Sequence, residues 1–317
     1  MSSSEERFAI GIDFGGTSVK LGLINDRGTL LDSTRIATGE LKGKEAWLDA
    51  VAEGIEGLRG GRELAGIGVG VPGFVDHERG FIHDLPNVPG WTGVPLADLL
   101  HVRTGLKVRV DNDVNAMALG ECTYGAGRSY EHAVFVTLGT GVGGGLLINN
   151  RLYRGAFSMA GEIGHVSIER NGIESPQGRG GVEQYVGNRR IVEYAIKQLE
   201  SGRTSMLDEL VGGDRSKLSP REIKAAAVAG DALALEVLTY MMDCLATAFA
   251  SITYILQPQA FIVGGGVAED ADILFRILRE RLDARLHPTF ASRIELKRAE
   301  LSNDAGMIGS ATLALKE

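Results

Sequence analysis

The apolar pattern in the first part of the chain predicts an α/β domain. Continuous apolar runs are typical of buried strands, and apolar residues three or four positions apart are typical of helices. Strands are predicted over 8–14, 19–25, 28–36, 65–71 and 106–110. Helices are predicted over 45–58, 95–103 and 114–124, and a loop over 74–92. Because strands alternate with helices, this part is expected to form an α/β fold.

The rest of the chain predicts a second α/β region. Two further strands are predicted within 135–150, and a polar, glycine-rich loop over 170–182. Helices are predicted over 184–201, from Pro220 onward, and over 231–256, 271–282 and 305–315, with strands over 260–263 and 294–297. The longest uncharged stretch, 244–268, contains Gln257-Pro258-Gln259 and three successive glycines. It therefore predicts a buried helix followed by a strand, and not a membrane span.

Two segments of the chain, 10–26 and 135–150, repeat one pattern. Aligned without a gap, Gly15 falls on Gly139, and each segment has an apolar run, a Gly/Thr-rich turn and a second apolar run. We interpret both as β-hairpins, and their similarity suggests two domains built on one plan. A single glycine turn is more often only structural, but glycines let backbone N–H groups approach an anion closely. The pair therefore favours a phosphoryl-transfer enzyme, although neither turn fits the Walker or dinucleotide pattern.

Composition and charge narrow the possible functions. The chain has 317 residues, 44% hydrophobic and 23% charged, and is expected to form two globular domains. A net charge of −8 offers no basic surface for nucleic acid, so anionic substrates need local binding sites. Cys122 and Cys244 lack the spacing of metal ligands and are expected to be buried thiols in a reducing cytosol. The polar segment 1–6 predicts no signal peptide, and a cytoplasmic protein is expected.

Asp111-Asn112-Asp113 is the first candidate for catalysis, since it follows a predicted buried strand. Ligand sites in α/β sheets lie beyond the carboxyl ends of strands. A carboxylate there can take the proton from a substrate hydroxyl that attacks phosphorus. The alternative is a helix N-cap, for which Asn and Asp are preferred residues. The local sequence leaves both open, and one acid can cap the helix while the other catalyses.

Other candidates follow the second hairpin. Glu162 and His165 can present an acceptor and a donor to adjacent sugar hydroxyls, although the pair taken alone favours a surface Glu with a structural His. Glu183 is either a ligand or an early helix charge. The glycines 264–266 let backbone approach a ring or a phosphate, or form a plain turn. Asp13, at the first turn, is a poor strand residue unless it has a function.

Taken together, the motifs resemble the ROK family (repressor, open reading frame, kinase), and its sugar kinases in particular. The matching segments run in family order over nearly the whole chain: 13–17, 70–73, 86–87, 112–116, 138–144, 162–165, 264–266 and 304–309. The resemblance implies a two-lobed actin-like, ribonuclease H-like α/β fold with duplicated β-hairpin phosphate motifs. Its smaller lobe is expected to hold 1–112 and 303–317, and its larger lobe 113–302.

The resemblance also implies a role for each site residue. Asp113 would be the base that deprotonates the sugar 6-hydroxyl. The sugar would be bound by Gly73, Asn87, Asn112, Asp113, Glu162, His165 and Glu183. ATP would be bound by Asp13, Gly15, Gly16, Thr17, Gly139, Thr140, Gly141, Gly264 and Gly265. Asp13 would help to hold Mg²⁺ with the phosphates.

One motif departs from the family. The zinc motif Cys-x-Cys-Gly-x-x-Gly-Cys-x-Glu would end at Glu183, and Gly181, Pro176 and Glu174 stand where its cysteines belong. Without thiolates a tetrahedral structural Zn²⁺ is not expected. His165, a zinc ligand in most members of the family, is then released for sugar binding. We hypothesise that packing of the 170–182 loop, or sugar binding, replaces the metal in placing Glu183.

The sequence thus predicts an ATP- and Mg²⁺-dependent hexose kinase, with glucose as the first candidate. The alternatives are N-acetyl amino sugars, mannose or fructose as acceptor, and polyphosphate as donor. Sugar-responsive repressors of the same family carry a helix-turn-helix module before the first phosphate motif, and only 12 residues precede Asp13. No nucleic-acid or membrane partner is expected, and the resemblance implies a homodimer through the larger lobe.

Overall fold

The computed structural model describes residues 6–41, 43–86, 88–269 and 272–316. Contacts between Cα atoms divide the chain into two compact units. The first unit comprises Met1–Glu131, Gly145–Gly161 and Ala299–Glu317. The second unit comprises His132–Gly144 and Glu162–Arg298. The lobe limits predicted above rest on the family resemblance and stay a prediction.

The first segment of the first unit alternates strands and helices, as its apolar pattern predicts. The strands are β1 (Phe8–Phe14), β2 (Ser18–Asn25), β3 (Leu30–Ala37), β4 (Leu64–Val71), β5 (Phe74–Asp76), β6 (Phe81–Asp84) and β7 (Val108–Asn112). The helices are α1 (Gly43–Arg59), α2 (Leu96–Thr104) and α3 (Asp113–Tyr124).

The rest of the chain supplies the second unit and the returning parts of the first. The strands are β8 (Ala133–Leu138), β9 (Val142–Ile148), β10 (Arg151–Leu152), β11 (Glu174–Ser175), β12 (Gly178–Arg179), β13 (Ala260–Gly264) and β14 (Glu295–Arg298). The helices are α4 (Glu183–Val186), α5 (Asn188–Glu200), α6 (Met206–Leu210), α7 (Pro220–Val228), α8 (Ala232–Leu256), α9 (Asp272–Asp283), α10 (Pro288–Ala291) and α11 (Ala305–Lys316).

The first unit is built on a five-stranded sheet of order β3-β2-β1-β4-β7. Strand β1 is antiparallel to β2 and parallel to β4, and β4 is parallel to β7. Alternate side chains of these strands join the apolar residues of α1 in one core, which includes Ile10, Leu21, Trp47, Leu48 and Val69. The sheet therefore fixes the ends of β1 and β7, where Asp13 and Asn112 lie.

Helix α11 lies with its backbone directly on this sheet. A Cβ atom on Gly11 would be 1.8 Å from the Met307 carbonyl oxygen, and one on Gly68 would be 1.7 Å from the Ser310 carbonyl oxygen. No side chain larger than hydrogen fits at either position, so these glycines allow the close approach. The helix predicted over 305–315 is thus an integral layer of the first unit.

The second unit has parallel strands packed on a long helix. Strand β13 lies between β8 and β14 and is parallel to both. The Phe249 ring of α8 stacks on the Phe261 ring of β13, with ring centroids 4.0 Å apart. Within the described ranges, α8 is the one helix long and apolar enough to cross a membrane, but 56% of its most apolar window is buried inside the protein. The buried helix and following strand predicted for 244–268 are confirmed.

The structure corrects three predictions of secondary structure. The predicted loop 74–92 contains the paired strands β5 and β6, and the predicted loop 170–182 contains the paired strands β11 and β12. Strands of two to four residues are too short to show a period-two pattern. The helix predicted over 184–201 is two helices, because Gly187 is extended (φ −63°, ψ 146°) and separates α4 from α5.

Candidate active site

The first candidate phosphate turn joins β1 to β2. The Gly15 N–H bonds to the Asp13 carbonyl at 3.2 Å and to the Ser18 carbonyl at 3.0 Å, which closes the hairpin. Gly16 and Thr17 at its tip are exposed, and a Cβ on Gly16 would meet no heavy atom within 4 Å. The first predicted hairpin is confirmed, and its tip offers open backbone that an anion can approach.

Asp13 is the penultimate residue of β1, next to this turn, and is held from two sides. Its carboxylate lies 3.6 Å from Lys20 Nζ, and its side chain is 16% exposed. Gly306 packs against it, since a Cβ there would be 2.8 Å from Asp13 Oδ2. Burial raises the pKa of the Asp13 carboxyl, and the Lys20 ammonium opposes that rise. A partly desolvated carboxylate beside an open glycine turn suits a cation that also binds phosphate.

Asn112, and not an aspartate, caps helix α3. Its Oδ1 accepts from the Val114 N–H at 2.9 Å and from the Asn115 N–H at 3.2 Å. Its Nδ2 donates to the Gly73 carbonyl at 3.3 Å, so the structure brings two predicted sugar-site residues together. The question left open by the local sequence is thereby answered for the cap.

The two aspartates beside Asn112 have different surroundings. Asp111 is buried, and its Oδ2 accepts from Arg154 Nε at 2.7 Å while its Oδ1 accepts from Asn115 Nδ2 at 3.0 Å. Asp113 is half-buried in the first turn of α3, and its Oδ1 accepts from the Val114 N–H at 2.9 Å. Asp111 is thus bound into a structural ion pair, whereas the role of Asp113 as the base stays a prediction.

The second candidate phosphate turn joins β8 to its sheet neighbour β9. Its Gly139 N–H bonds to the Gly141 carbonyl at 3.0 Å. Glu183 Oε2 accepts from the Val142 N–H at 2.9 Å, and a Cβ on Gly141 would be 2.2 Å from that oxygen. The second predicted hairpin is therefore confirmed, and Glu183 is bonded to it through the first residue of β9.

Glu162 and His165 lie close to each other in the second unit. Glu162 Oε2 is 3.7 Å from His165 Nε2, and both side chains are about one-third to two-fifths exposed. Burial raises the pKa of the Glu162 carboxyl, the His165 ring opposes the rise, and Glu183 adds to it. The structure thus gathers Glu162, His165 and Glu183, three of the predicted sugar-binding residues. Asn87, a fourth, lies outside the described residues.

A cavity of about 830 Å³ opens beside the end of β13. Its walls include Asn188, Ile191, Pro220, Lys224, Gly266 and Val267. Apolar walls with a few polar groups are typical of sites for flat ligands. Asn188 Oδ1 is buried and has no hydrogen-bond partner among the described residues, so it can accept from a ligand. Sequence reasoning found the glycines but missed Asn188 and Lys224; around Lys224 it predicted only a helix from Pro220 onward.

Of the two glycines after β13, Gly265 is the one that no other residue can replace without strain. Its φ is +88°, and a Cβ would be 2.2 Å from the Leu138 carbonyl oxygen. We expect Gly265→Ala to lower the free energy of unfolding by about 2 kcal/mol or more, because the strained backbone alone costs about 1–3 kcal/mol. Gly266→Ala is the matched control, since its Cβ would meet nothing within 4 Å. Urea unfolding measures both, and equal stabilities of the two variants would contradict the described turn.

No group of three or more His, Cys, Asp or Glu side chains that could hold a metal ion lies within 6–41, 43–86, 88–269 or 272–316. The segment that carries the zinc motif in the family is held by other contacts. The Ile168 N–H bonds to the Gly180 carbonyl at 2.9 Å, and the Gly180 N–H bonds to the Ile173 carbonyl at 2.8 Å. Backbone pairing therefore orders this segment.

Comparison with known proteins agrees with these features. The glucokinase of Thermotoga maritima is 36% identical over 304 residues, which cover 96% of each chain. The glucokinase of Streptomyces coelicolor is 33% identical over 309 residues, again 96% of each chain. A crystal structure of a ROK family glucokinase from Streptomyces griseus, in complex with glucose and AMPPNP, has a TM-score of 0.83 and 32% identity over 98% of this chain and 100% of that one. The ROK family model itself matches residues 9–317. With both hairpins in place and the match covering nearly the whole chain, this protein belongs to the ROK family.

Proposed function

We propose that this protein is an ATP-dependent hexose kinase that phosphorylates the 6-hydroxyl of glucose. The similarity to glucokinases, at 33–36% identity over 96% of each chain, carries the proposal. The positions of Asp113 and of the cluster formed by Glu162, His165 and Glu183 support it. We further propose that the enzyme is cytoplasmic, acts at the entry of glucose into glycolysis and forms a homodimer, which light scattering of the purified protein would test.

In this proposal the sugar is bound by hydrogen-bond acceptors and donors. Asp113 takes the proton of the attacking hydroxyl, which makes the oxygen a better nucleophile toward the γ-phosphorus. Asn112, tied to the Gly73 carbonyl, fixes the start of α3 and so the base. Glu162, His165 and Glu183 bind other sugar hydroxyls, as acceptors and donors that discriminate between sugars. Burial raises the pKa of the Glu162 carboxyl, so this acceptor is protonated at a higher pH than an exposed glutamate would be.

The nucleotide is assigned to the cavity at β13 and to the two glycine turns. The unpartnered Asn188 Oδ1 and the apolar walls of the cavity fit an adenosine group. The turn tips at Gly16 and Gly139 leave open space for phosphate oxygens, since a Cβ on either would meet nothing within 4 Å. Asp13 would hold Mg²⁺, which when bound offsets the negative charge of the phosphates.

Because Lys20 affects the pKa of Asp13, the assignment of Asp13 to Mg²⁺ predicts how activity depends on pH. The proposed Mg²⁺ ligand must be ionised, so activity at low Mg²⁺ falls as the pH drops through the pKa of Asp13. Burial already raises that pKa, and Lys20 opposes the rise. Lys20→Met removes the opposing charge, so the acid limb of kcat/KM for Mg-ATP is expected to move to higher pH. A pH profile measured with saturating sugar checks this; a limb that stays in place or moves to lower pH contradicts it.

A coupled assay of ADP release, with Mg-ATP and a panel of hexoses, tests the proposed function. We expect turnover with glucose well above that with mannose, fructose or N-acetyl amino sugars. Polyphosphate is the comparison donor, and a preference for it would transfer the proposal from ATP to polyphosphate. No turnover with any sugar would overturn the kinase proposal and favour a sugar-sensing role, for which carbohydrate-induced thermal shifts would be measured next.

A further inference from the structure

The segment 166–182 in the second unit is folded back on itself. The Val182 N–H bonds to the Val166 carbonyl at 3.0 Å, and Ser167 bridges to Gly181. Strands β11 and β12 form a small hairpin between these ends. All of these bonds lie within the segment and determine its shape. The backbone N–H groups of α4 bond to the Gly181 and Val182 carbonyls, which joins only the last two residues of the segment to that helix.

The hydroxyl of Tyr185 joins this segment to α4. Its oxygen accepts a hydrogen bond from the Ile173 N–H at 3.0 Å. The neighbouring Gly172 packs so closely that a Cβ there would be 2.0 Å from the same oxygen. Gly172 does not have a left-handed backbone, so close contacts are what exclude a larger residue here: the hydroxyl is the nearest, and Glu169 Cβ and Gly180 Cα would each be 2.9 Å away. Two adjacent backbone positions are therefore fitted to one side-chain atom.

Helix α4 is short and depends on such contacts. It has four residues, Glu183–Val186, and a single helical turn is not stable alone. At its start, Glu183 Oε2 accepts from the Val142 N–H of the second hairpin at 2.9 Å. Two residues later, Tyr185 holds the 166–182 segment. The one turn of α4 thus links the segment to the second hairpin, and the carboxylate of Glu183 is itself the attachment to the hairpin.

We propose that Tyr185 is a positioning residue: its hydroxyl fastens the 166–182 segment to α4 and thereby fixes the Glu183 carboxylate for sugar binding. A neutral hydrogen bond in this chain takes over the fastening role that thiolate ligation of zinc would otherwise supply to the segment. The sugar-binding part of this inference rests on the proposed kinase function, whereas the fastening itself does not.

Tyr185→Phe tests the proposal because it keeps the ring and removes only the hydroxyl. The glucose KM is expected to rise about three- to tenfold, as for loss of one hydrogen bond, while kcat and the ATP KM stay within about twofold. Amide exchange in peptides that cover 170–182 is expected to become faster. Tyr194→Phe is the control: this tyrosine lies on α5 and stacks on Tyr240, with ring centroids 4.3 Å apart. It should leave the glucose KM and the exchange of 170–182 unchanged.

Gly172→Ala provides an independent readout in the same system. In the wild-type background the new methyl group collides with the Tyr185 hydroxyl, and we expect faster exchange and a raised glucose KM. In the Tyr185→Phe background the closest of these contacts is absent and only the two at 2.9 Å, with Glu169 Cβ and Gly180 Cα, remain, so the added effect of Gly172→Ala is expected to be smaller. Additive effects of the two substitutions, or wild-type exchange in Tyr185→Phe, would overturn the fastening role.

The outcomes also separate this inference from the proposed function. Faster exchange with an unchanged glucose KM would overturn the link to Glu183 and leave the kinase proposal standing. A wild-type protein without kinase activity would refute the proposed function, and the exchange measurements would still decide whether Tyr185 holds the segment.

Discussion

Replacing Asp113 by asparagine is expected to lower kcat by about 10²–10⁴-fold while sugar binding is kept, since proton abstraction by a positioned base contributes this much. Asparagine has the same size, and its Oδ1 can keep the bond that Asp113 Oδ1 accepts from the Val114 N–H at 2.9 Å. The fold is therefore expected to remain intact. Steady-state kinetics, together with glucose binding measured by calorimetry, check both parts.

The neighbouring Asp111 gives the matched control. Asp111→Asn removes the charge that faces Arg154 inside the first unit, so its main expected effect is on stability rather than on turnover at low temperature. If Asp113→Asn retained near-normal kcat, or if both variants lost activity in proportion to stability, Asp113 would not be the base.

Arg154→Met is expected to lower the free energy of unfolding by about 3–5 kcal/mol, because it leaves the carboxylate of Asp111 buried without its partner. The two side chains are only 11% and 3% exposed, and Arg154 Nε lies 2.7 Å from Asp111 Oδ2. Methionine fills similar space, so loss of the charge dominates. Urea unfolding measures the change.

An exposed ion pair of the same unit serves as the comparison. Arg128 Nη1 lies 2.8 Å from Glu300 Oε2, but these side chains are 59% and 53% exposed. Arg128→Met is therefore expected to cost less than about 1 kcal/mol. Similar losses for both variants would show that the Asp111–Arg154 pair is not shielded from water as described.

Much of the candidate site was predictable because its residues lie in turns with strong local chemistry. The glycine hairpins at 10–26 and 135–150, and the presence of possible cap residues at the end of β7, are each encoded within a few residues. Long-range contacts were not predictable. Nothing in the sequence near Arg154 indicates that it pairs with Asp111, and nothing near Glu183 indicates a bond to the Val142 N–H. Such contacts depend on tertiary packing, which has no local period or spacing.

The alternative left open at Asp111-Asn112-Asp113 illustrates the same limit. Asn and Asp are both good caps, so propensity could not rank them. Packing decides the matter, because Asp111 is turned inward to Arg154 and the carbonyl of Gly73 receives the Asn112 amide. The sequence analysis missed strands β11 and β12 because two residues are too few to show the alternation of a strand. It missed the break at Gly187 because one extended residue does not interrupt the apolar pattern of a helix.

The packing of helix α11 (Ala305–Lys316) on the sheet of the first unit has a consequence for protein synthesis. A ribosome completes residues 1–131 well before it reaches 305–316, the helix that covers Gly11 and Gly68. At about 5–20 residues per second, the sheet waits on the order of ten seconds with that face bare. A nascent chain is thus expected to need a chaperone over this interval. Loss of the codons for Ala305–Lys316 would leave an apolar sheet surface uncovered in every copy translated.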